Sequence, residues 1–351
     1  MKKRILVAPL NWGLGHATRC IPIIKALISC GFEPIIGSDG EALELLKKEF
    51  PDVLAIQLPS YNINYSKRKV FFKLKLLKNT PRLLKVITAE KKATKHIIKT
   101  HGIVGIISDN RWGVYNKTVP SAIITHQLNV LSGHTTWLST WIHKQFLKNF
   151  DVCWVPDVAD ENNLSGILGH PHKSESPLKY IGPLSRFLKK DTEQINKLLV
   201  VLSGPEPQRT LLYEKLIKEL KNYNDKVIMV KGIVEDKQTI ETVGQVTVYN
   251  YMTSEELEKA IQESEVVISR SGYSSIMDMA KLGKKAFLIP TPGQYEQEYL
   301  AKRLFELNIA PFCQQEDFTF NQLKKVENFK SFESLNFETD FKELFRFFER
   351  K

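Results

Sequence analysis

Val266-Val267-Ile268-Ser269-Arg270-Ser271-Gly272-Tyr273-Ser274-Ser275 reads as a short apolar strand, a small-residue turn and the start of a helix. The first half of the chain repeats this grammar. There Ile5 to Ala8 leads through Asn11-Trp12-Gly13-Leu14-Gly15-His16-Ala17-Thr18-Arg19 into a helical pattern. A strand that feeds a turn into a helix N-terminus offers backbone N–H groups and the positive end of the helix dipole to an anion. Two such turns in 351 residues imply two domains with a ligand in the cleft between them, and a phosphorylated group at one turn.

Working outward, near-continuous apolar strands alternate with helical patterns. Strands are expected at 4–9, 33–38, 53–58, 103–108, 121–125 and 151–156, with helices at about 16–30, 40–49, 67–100 (broken at Pro81) and 134–149. A second set has strands at 197–203, 226–230, 245–250, 265–269 and 286–290, with helices at about 207–222, 253–263, 272–282 and 294–307. This alternation defines an α/β protein with parallel sheets covered on both faces, hence two doubly wound, Rossmann-like domains. The Gly-, Pro-, His- and Ser-rich stretch 162–188 marks the boundary. The expected domains are 1–165, 180–332 and a C-terminal helix in 333–351.

Composition narrows the class. A hydrophobic fraction of 42% and a charged fraction of 25% are those of an ordinary globular chain. The four cysteines (Cys20, Cys30, Cys153, Cys313) are widely spaced, which fits reduced thiols rather than a zinc site or a disulfide framework. No run approaches the roughly 20 apolar residues of a membrane span, and the N-terminal apolar run is too short for a secretory core. A cytoplasmic protein is expected.

The net charge of +11 is local: between Tyr61 and His101 lie twelve Lys or Arg and one acid, Glu90. Twelve minus one accounts for the whole excess. Because bulky apolar residues alternate with these lysines at 70–78, the segment 67–99 fits a surface for anionic lipid head groups at the inner face of a membrane. A solvated helical face with snorkelling lysines is the other reading. No nucleic-acid fold signature accompanies the charge.

In doubly wound sheets, ligands bind beyond the carboxyl ends of the strands, where both turns lie. Gly13 and Gly15 begin a G-x-G-x-x-G pattern, but position 18 is Thr and no P-loop lysine follows. A dinucleotide enzyme is therefore disfavoured. Ser271 and Asp278 are two helical turns apart, about 10 Å along one face. A diphosphate at the helix start would leave Asp278 placed for a ribose diol, with Arg270, Ser271, Ser274 and Ser275 as donors. Ser271 alone could equally be an N-cap. His16, at a helix start, suits a general base, because the N-terminal dipole keeps an imidazole neutral. Asp109 could orient it or act itself, or simply form a turn.

Arg270-Ser271-Gly272 through Asp278, then Leu288-Ile289-Pro290 and Gln297, resembles the donor-binding region of family-28 glycosyltransferases. Gly13-Leu14-Gly15-His16, Thr125-His126-Gln127 and Gly182-Pro183-Leu184-Ser185-Arg186 resemble further motifs of that family in order along the chain. The resemblance implies a GT-B fold and a UDP-sugar held by the C-terminal domain. It places Arg186, Ser203, Gly204, Arg209, Met252, Arg270, Ser271, Gly272, Ser274, Asp278, Glu296, Gln297 and Glu298 on the donor. Gly13, Gly15, Arg111, His126 and Gln127 fall on the acceptor side, and His16 and Asp109 are catalytic. Asp278 stands in place of the family's ribose-binding glutamate, and Glu298 in place of a second glutamine. With no Asp-x-Asp, a metal-independent inverting transfer to a lipid or other hydrophobic acceptor is expected, without a cofactor beyond the donor. Gly15-His16-Ala17-Thr18-Arg19-Cys20 also resembles a UDP-sugar hydrolase segment, so hydrolysis or epimerisation on the same fold, or nucleotide-sugar binding without turnover, stays open.

Overall fold

The computed structural model describes residues 2–61, 70–161, 163–171, 173–174, 176–220, 223–233, 235–332 and 339–349, with side chains of 70–81 excluded. It divides into two compact units. One comprises 1–63, 70–184 and 337–351, the other 64–69 and 185–336.

The first unit is a seven-stranded sheet in the order β3-β2-β1-β4-β5-β6-β7. Its strands are β1 (Arg4–Pro9), β2 (Glu33–Ser38), β3 (Ala55–Gln57), β4 (Ile103–Asp109), β5 (Ser121–Ile124), β6 (Val152–Val155) and β7 (Leu178–Tyr180). All pairings in it are parallel. Its helices are α1 (Gly15–Ser29), α2 (Gly40–Glu49), α3 (Val70–His101) and α4 (Thr136–Leu147). The strands are apolar on both faces because helices cover both. Leu6, Ala8, Ile35 and Ile106 pack with Ile97 of α3, while Ile123, Val155 and Phe150 pack with Leu147 of α4. Each of these Leu, Ile, Val or Phe side chains, fully buried, is worth about 1.5–3 kcal/mol.

The second unit has the order β10-β11-β9-β8-β12-β13. Its strands are β8 (Asn196–Val201), β9 (Val227–Val230), β10 (Ile240–Val243), β11 (Val246–Tyr249), β12 (Ser264–Ser269) and β13 (Lys285–Leu288). Between them run α5 (Gln208–Leu220), α6 (Ser254–Gln262), α7 (Tyr273–Leu282) and α8 (Tyr295–Glu306). Leu212, Leu216 and Leu220 bury one stripe of α5 against Val200, Met229 and Phe287. Thr253 and Glu256 close a reciprocal capping box at the start of α6.

Several expectations need correction. Helix α3 runs through Pro81 without a break. The proline removes a single N–H from the ladder, and the strong helix formers after it carry the helix on. Residues 67–69, and the side chains of Lys73, Lys75 and Lys78, lie outside what is described, as does His172. The stretch 162–188, read as the boundary, contains β7, and the units divide inside it, after Leu184. Strand β10 was not anticipated and is antiparallel to β11, so the second sheet is not wholly parallel. The C-terminal residues form only a short helix, Phe341–Phe345, and a 3-10 turn, Arg346–Phe348. They rejoin the first unit, where Phe345 and Phe348 pack on Phe32. Among the described residues, no helix is long and apolar enough to cross a membrane.

Candidate active site

In the first unit the chain reverses its winding between β1 and β4, and their carboxyl ends open the crevice expected of such sheets. Register places Pro9 opposite Asp109. The loop 10–14 then delivers His16 to the first turn of α1, beside that carboxylate. Gly13 turns this loop at φ +73°, a left-handed conformation that glycine adopts at little cost.

Asp109 is fully buried and is the hub of the cluster. Its Oδ1 is 2.8 Å from His16 Nδ1, and its Oδ2 accepts from Arg19 Nε at 2.5 Å. Arg19 Nη2 also donates to Oδ1, so the guanidinium grips both oxygens. Burial alone would raise the carboxyl pKa, but the charges of Arg19 and then His16 outweigh it, and Asp109 stays ionised well below the usual range. His16 Nδ1 lies 2.8 Å from Asp109 Oδ1, which can only accept, and 2.8 Å from Arg19 Nη2, which can only donate; the tautomer with its proton on Nδ1 is the one that pairs with the carboxylate. In that tautomer Nε2 is the basic nitrogen, on a side chain that is 14% exposed. Burial lowers the His16 pKa; Asp109 opposes this and Arg19 adds to it, with a net downward shift.

Arg19 was not among the anticipated site residues, although its spacing of three from His16 puts both on one helix face. Its Nη1 lies 3.2 Å from His126 Nδ1. Arginine only donates, so His126 Nδ1 accepts and its ring proton sits on Nε2. His126 follows β5 and is buried, while Gln127 follows it with its N–H on Thr125 Oγ1 at 3.1 Å. One arginine thus orients a carboxylate and two imidazoles.

Arg111 was expected to meet acceptor and does not stand there. It is fully buried, donating to Glu90 Oε1 and Asp39 Oδ1 at 2.7 Å each, and to the carbonyls of Pro9 and Pro59. It ties α3 to the ends of β1, β2 and β3. Asp39, the acid that directly follows β2, is consumed in this network, consistent with the missing dinucleotide signature. Gly40 beside it has φ +53°, and a Cβ there would lie 2.2 Å from Asn11 Nδ2, so a side chain would be strained and would displace Asn11. His170, set aside as a bystander, stacks on Tyr180 with ring centroids 4.9 Å apart.

In the second unit the loops after β8, β12 and β13 converge. Gly204 comes close enough that a Cβ would sit 3.7 Å from Thr291 Oγ1. Arg270 is fully buried and points into the protein, bonding the carbonyls of Ile289 and Pro290 at 3.2 Å and that of Gln208 at 2.8 Å. Gln315 Oε1 completes its surroundings at 2.7 Å. Burial lowers its pKa to about 9. Arg270 therefore holds the turn from behind. Ser271 is not an N-cap either: its Oγ donates to the Gln297 carbonyl at 2.8 Å. Gly272 takes the N-cap position of α7, with no side-chain cap.

Gln297 Oε1 accepts from Thr291 N at 2.8 Å, and Glu298 Oε1 from Gly293 N at 3.0 Å, which fixes the loop into α8. Arg209 bonds Glu206 and the Gly232 carbonyl, at 2.9 and 2.7 Å. Asp278 accepts from Ser185 Oγ at 2.7 Å, and Arg186 donates to Ser254 Oγ at 3.1 Å. Burial pushes Asp278 up to about 6 against the opposing charge of Arg186. Ser274 and Glu296 stand in the first turns of α7 and α8, Ser203 follows β8, and Met252 lies in the loop entering α6.

The chain as a whole is similar to known proteins. Residues 199–342 match the model of the glycosyltransferase family 28 C-terminal domain. The chain is 27% identical over 324 residues (88% of it, 84% of the relative) to the UDP-N-acetylglucosamine--N-acetylmuramyl-(pentapeptide) pyrophosphoryl-undecaprenol N-acetylglucosamine transferase of Clostridium tetani. It is 22% identical over 318 residues (85% and 86%) to an uncharacterised glycosyltransferase of Methanopyrus kandleri. The crystal structure of Acinetobacter baumannii MurG superposes with a TM-score of 0.53 at 17% identity, covering 94% of this chain and 92% of that one. The kitacinnamycin glycosyltransferase does so at 0.59 and 13%, covering 93% and 89%. Fold and relatives define the class as a glycosyltransferase of the GT-B fold. Within that class, residues 199–342 are similar to the C-terminal domain of glycosyltransferase family 28.

Proposed function

We propose that this glycosyltransferase moves a sugar from a UDP-sugar to a hydroxyl of a lipid or other hydrophobic acceptor, with inversion and without a metal. The observation that carries the reading is the Arg19–Asp109–His16 arrangement, in which the tautomer of His16 paired with Asp109 through Nδ1–H has a basic Nε2. The acceptor oxygen attacks the anomeric carbon while its proton passes to His16 Nε2. The bond from that carbon to the diphosphate oxygen breaks, and UDP departs. Asp109 steadies the imidazolium that forms.

In this reading the diphosphate lies at the N-terminus of α7, by Gly272 and Ser274, where the helix dipole stabilises the leaving group. Asp278 accepts from the ribose diol. Glu296, Gln297 and Glu298 meet the sugar, and Ser203, Gly204, Arg209, Arg186 and Met252 frame the donor. The named substrates of the Clostridium tetani relative, a UDP-sugar and an undecaprenol-linked acceptor, support donor and acceptor class. Hydrolysis or epimerisation, supported only by the resemblance of Gly15–Cys20 to a UDP-sugar hydrolase segment, is not favoured.

The test is calorimetric titration with UDP, with ADP as control. Selective UDP binding is expected in the wild type, at least tenfold weaker binding in Asp278→Ala, and unchanged binding with loss of turnover in His16→Ala. Equal affinity for UDP and ADP, or full activity of the His16 variant, would overturn the assignment.

A further inference from the structure

The second unit has a cavity of about 430 Å³ at the end of its sheet opposite the converging loops. Its wall takes Glu265 and Lys285 from the starts of β12 and β13, Leu282 from the end of α7, and residues of the segment 189–194 that leads into β8. Strand β12 is six residues long. At about 3.3 Å per residue the cavity lies roughly 20 Å from the loops read as holding the donor. Gln262 secures the segment: its Oε1 accepts from Lys190 N at 3.1 Å, and its Nε2 donates to the Leu188 carbonyl at 2.9 Å. The volume suits a small molecule. Leu282 is the single apolar side chain among the described lining residues, so the molecule is polar.

Charge selects its class. Lys284, in the wall, is 7% exposed, and its Nζ donates to the carbonyls of Gln262 and Ser264 at 2.7 and 3.0 Å. An ammonium has three N–H donors, so one is left over. Burial lowers the Lys284 pKa, and the charge of Lys189 lowers it further. Closing the last carbonyl of α6 accounts for a cation at Lys284, but not for a second one beside it. The other lysines of the wall are neutralised, Lys190 by Glu258 at 2.8 Å and Lys285 by Glu327 at 2.9 Å. Glu265 is spent on Lys197 at 2.6 Å. Among the described residues this leaves Lys189 and Lys284 without a carboxylate partner, and Asp191 without a cation. Two ammonium groups held close repel, and an anion between them relieves the repulsion. The cavity has room for more than a bare phosphate. Asp191, Thr192 and Gln194 offer partners for hydroxyls. Ser331 adds another at φ +69°, a left-handed conformation uncommon outside glycine and concentrated at ligand sites.

We infer that this cavity binds a small sugar phosphate, with its phosphate between Lys189 and Lys284 and its hydroxyls on Asp191, Thr192 and Gln194. The site is separate from the loops at the carboxyl ends of the same strands, so a nucleotide there and a sugar phosphate here are held at once. The inference does not rest on the proposed sugar transfer.

The test is calorimetric titration of the full chain with glucose 6-phosphate in saturating UDP, which keeps phosphate groups out of the donor loops. Inorganic phosphate and glucose are the controls. Glucose 6-phosphate should bind, inorganic phosphate about tenfold more weakly for want of the hydroxyl contacts, and glucose without detectable heat. Lys189→Gln changes an exposed side chain, so its urea midpoint should match the wild type. Its affinity for glucose 6-phosphate should fall about tenfold, the loss of one charge-assisted hydrogen bond. If UDP itself does not bind, the same comparison without UDP still decides, which keeps failure here distinct from failure of the donor assignment. No binding of glucose 6-phosphate, equal affinity in Lys189→Gln, or equal affinity for inorganic phosphate would overturn the inference.

Discussion

Asp109 can stay ionised in a fully buried position because Arg19 grips both its oxygens, and removal of either partner would strand a charge. The pair also sets the chemistry of His16. With its folded pKa below the ordinary 6.5, the imidazole remains an unprotonated base as pH falls through 6.5. The acid limb of the kcat profile should therefore lie below pH 6.5, and its pH titration of single-turnover rate measures this. A limb above that value would contradict the burial argument. Arg19→Lys keeps the charge but loses the two-pronged grip. It should lower kcat about 100-fold with unchanged UDP affinity, since misplacement of the base by about 1 Å costs that much. His16 and Asp109 were legible as chemistry-bearing residues after strands. Arg19 was not, because an arginine in an amphipathic helix looks alike whether it faces solvent or a carboxylate 90 positions away.

At the scale of elements, the turn between β12 and α7 is held from behind. Arg270 brings together the start of α5, the residues just after β13 and the segment at Gln315 through four oxygen acceptors. Its sequence context, beside serines at a helix N-terminus, suggested a ligand contact. The fold uses it as a buried strut, and Arg111 has the same fate in the first unit. Arg270→Met would leave those buried acceptors without a donor, at about 1–3 kcal/mol for each one that cannot relax. We expect a fall in the urea midpoint equivalent to about 3 kcal/mol and at least tenfold weaker UDP binding by calorimetry. A variant that binds UDP normally would show that the turn keeps its form without the strut.

At the scale of the molecule, the chain's last residues stabilise its first unit. Phe345 and Phe348 are buried against Phe32, Gly105 and Trp154, and a Cβ on Gly105 would lie 2.3 Å from Phe348 Cδ1. Deleting residues 340–351 should destabilise the first unit by several kcal/mol, since loss of one buried phenylalanine alone costs about 3–5 kcal/mol. Calorimetry should show this transition shifted down, while the transition raised by UDP stays in place. A uniform shift of both would mean that the two units unfold together.

Local composition and periodicity by themselves determined the alternation of strands and helices, the two doubly wound sheets, and the two glycine turns at strand ends. These are short-range properties: apolar runs make buried strands, and glycine and serine make the turns between strand and helix. What only the tertiary structure decided was the direction and partner of each charged group. It turned Arg111 and Arg270 inward, joined Arg19 to Asp109, and carried α3 through Pro81. Burial and pairing of charge depend on residues far apart in the chain, and no local pattern contains them.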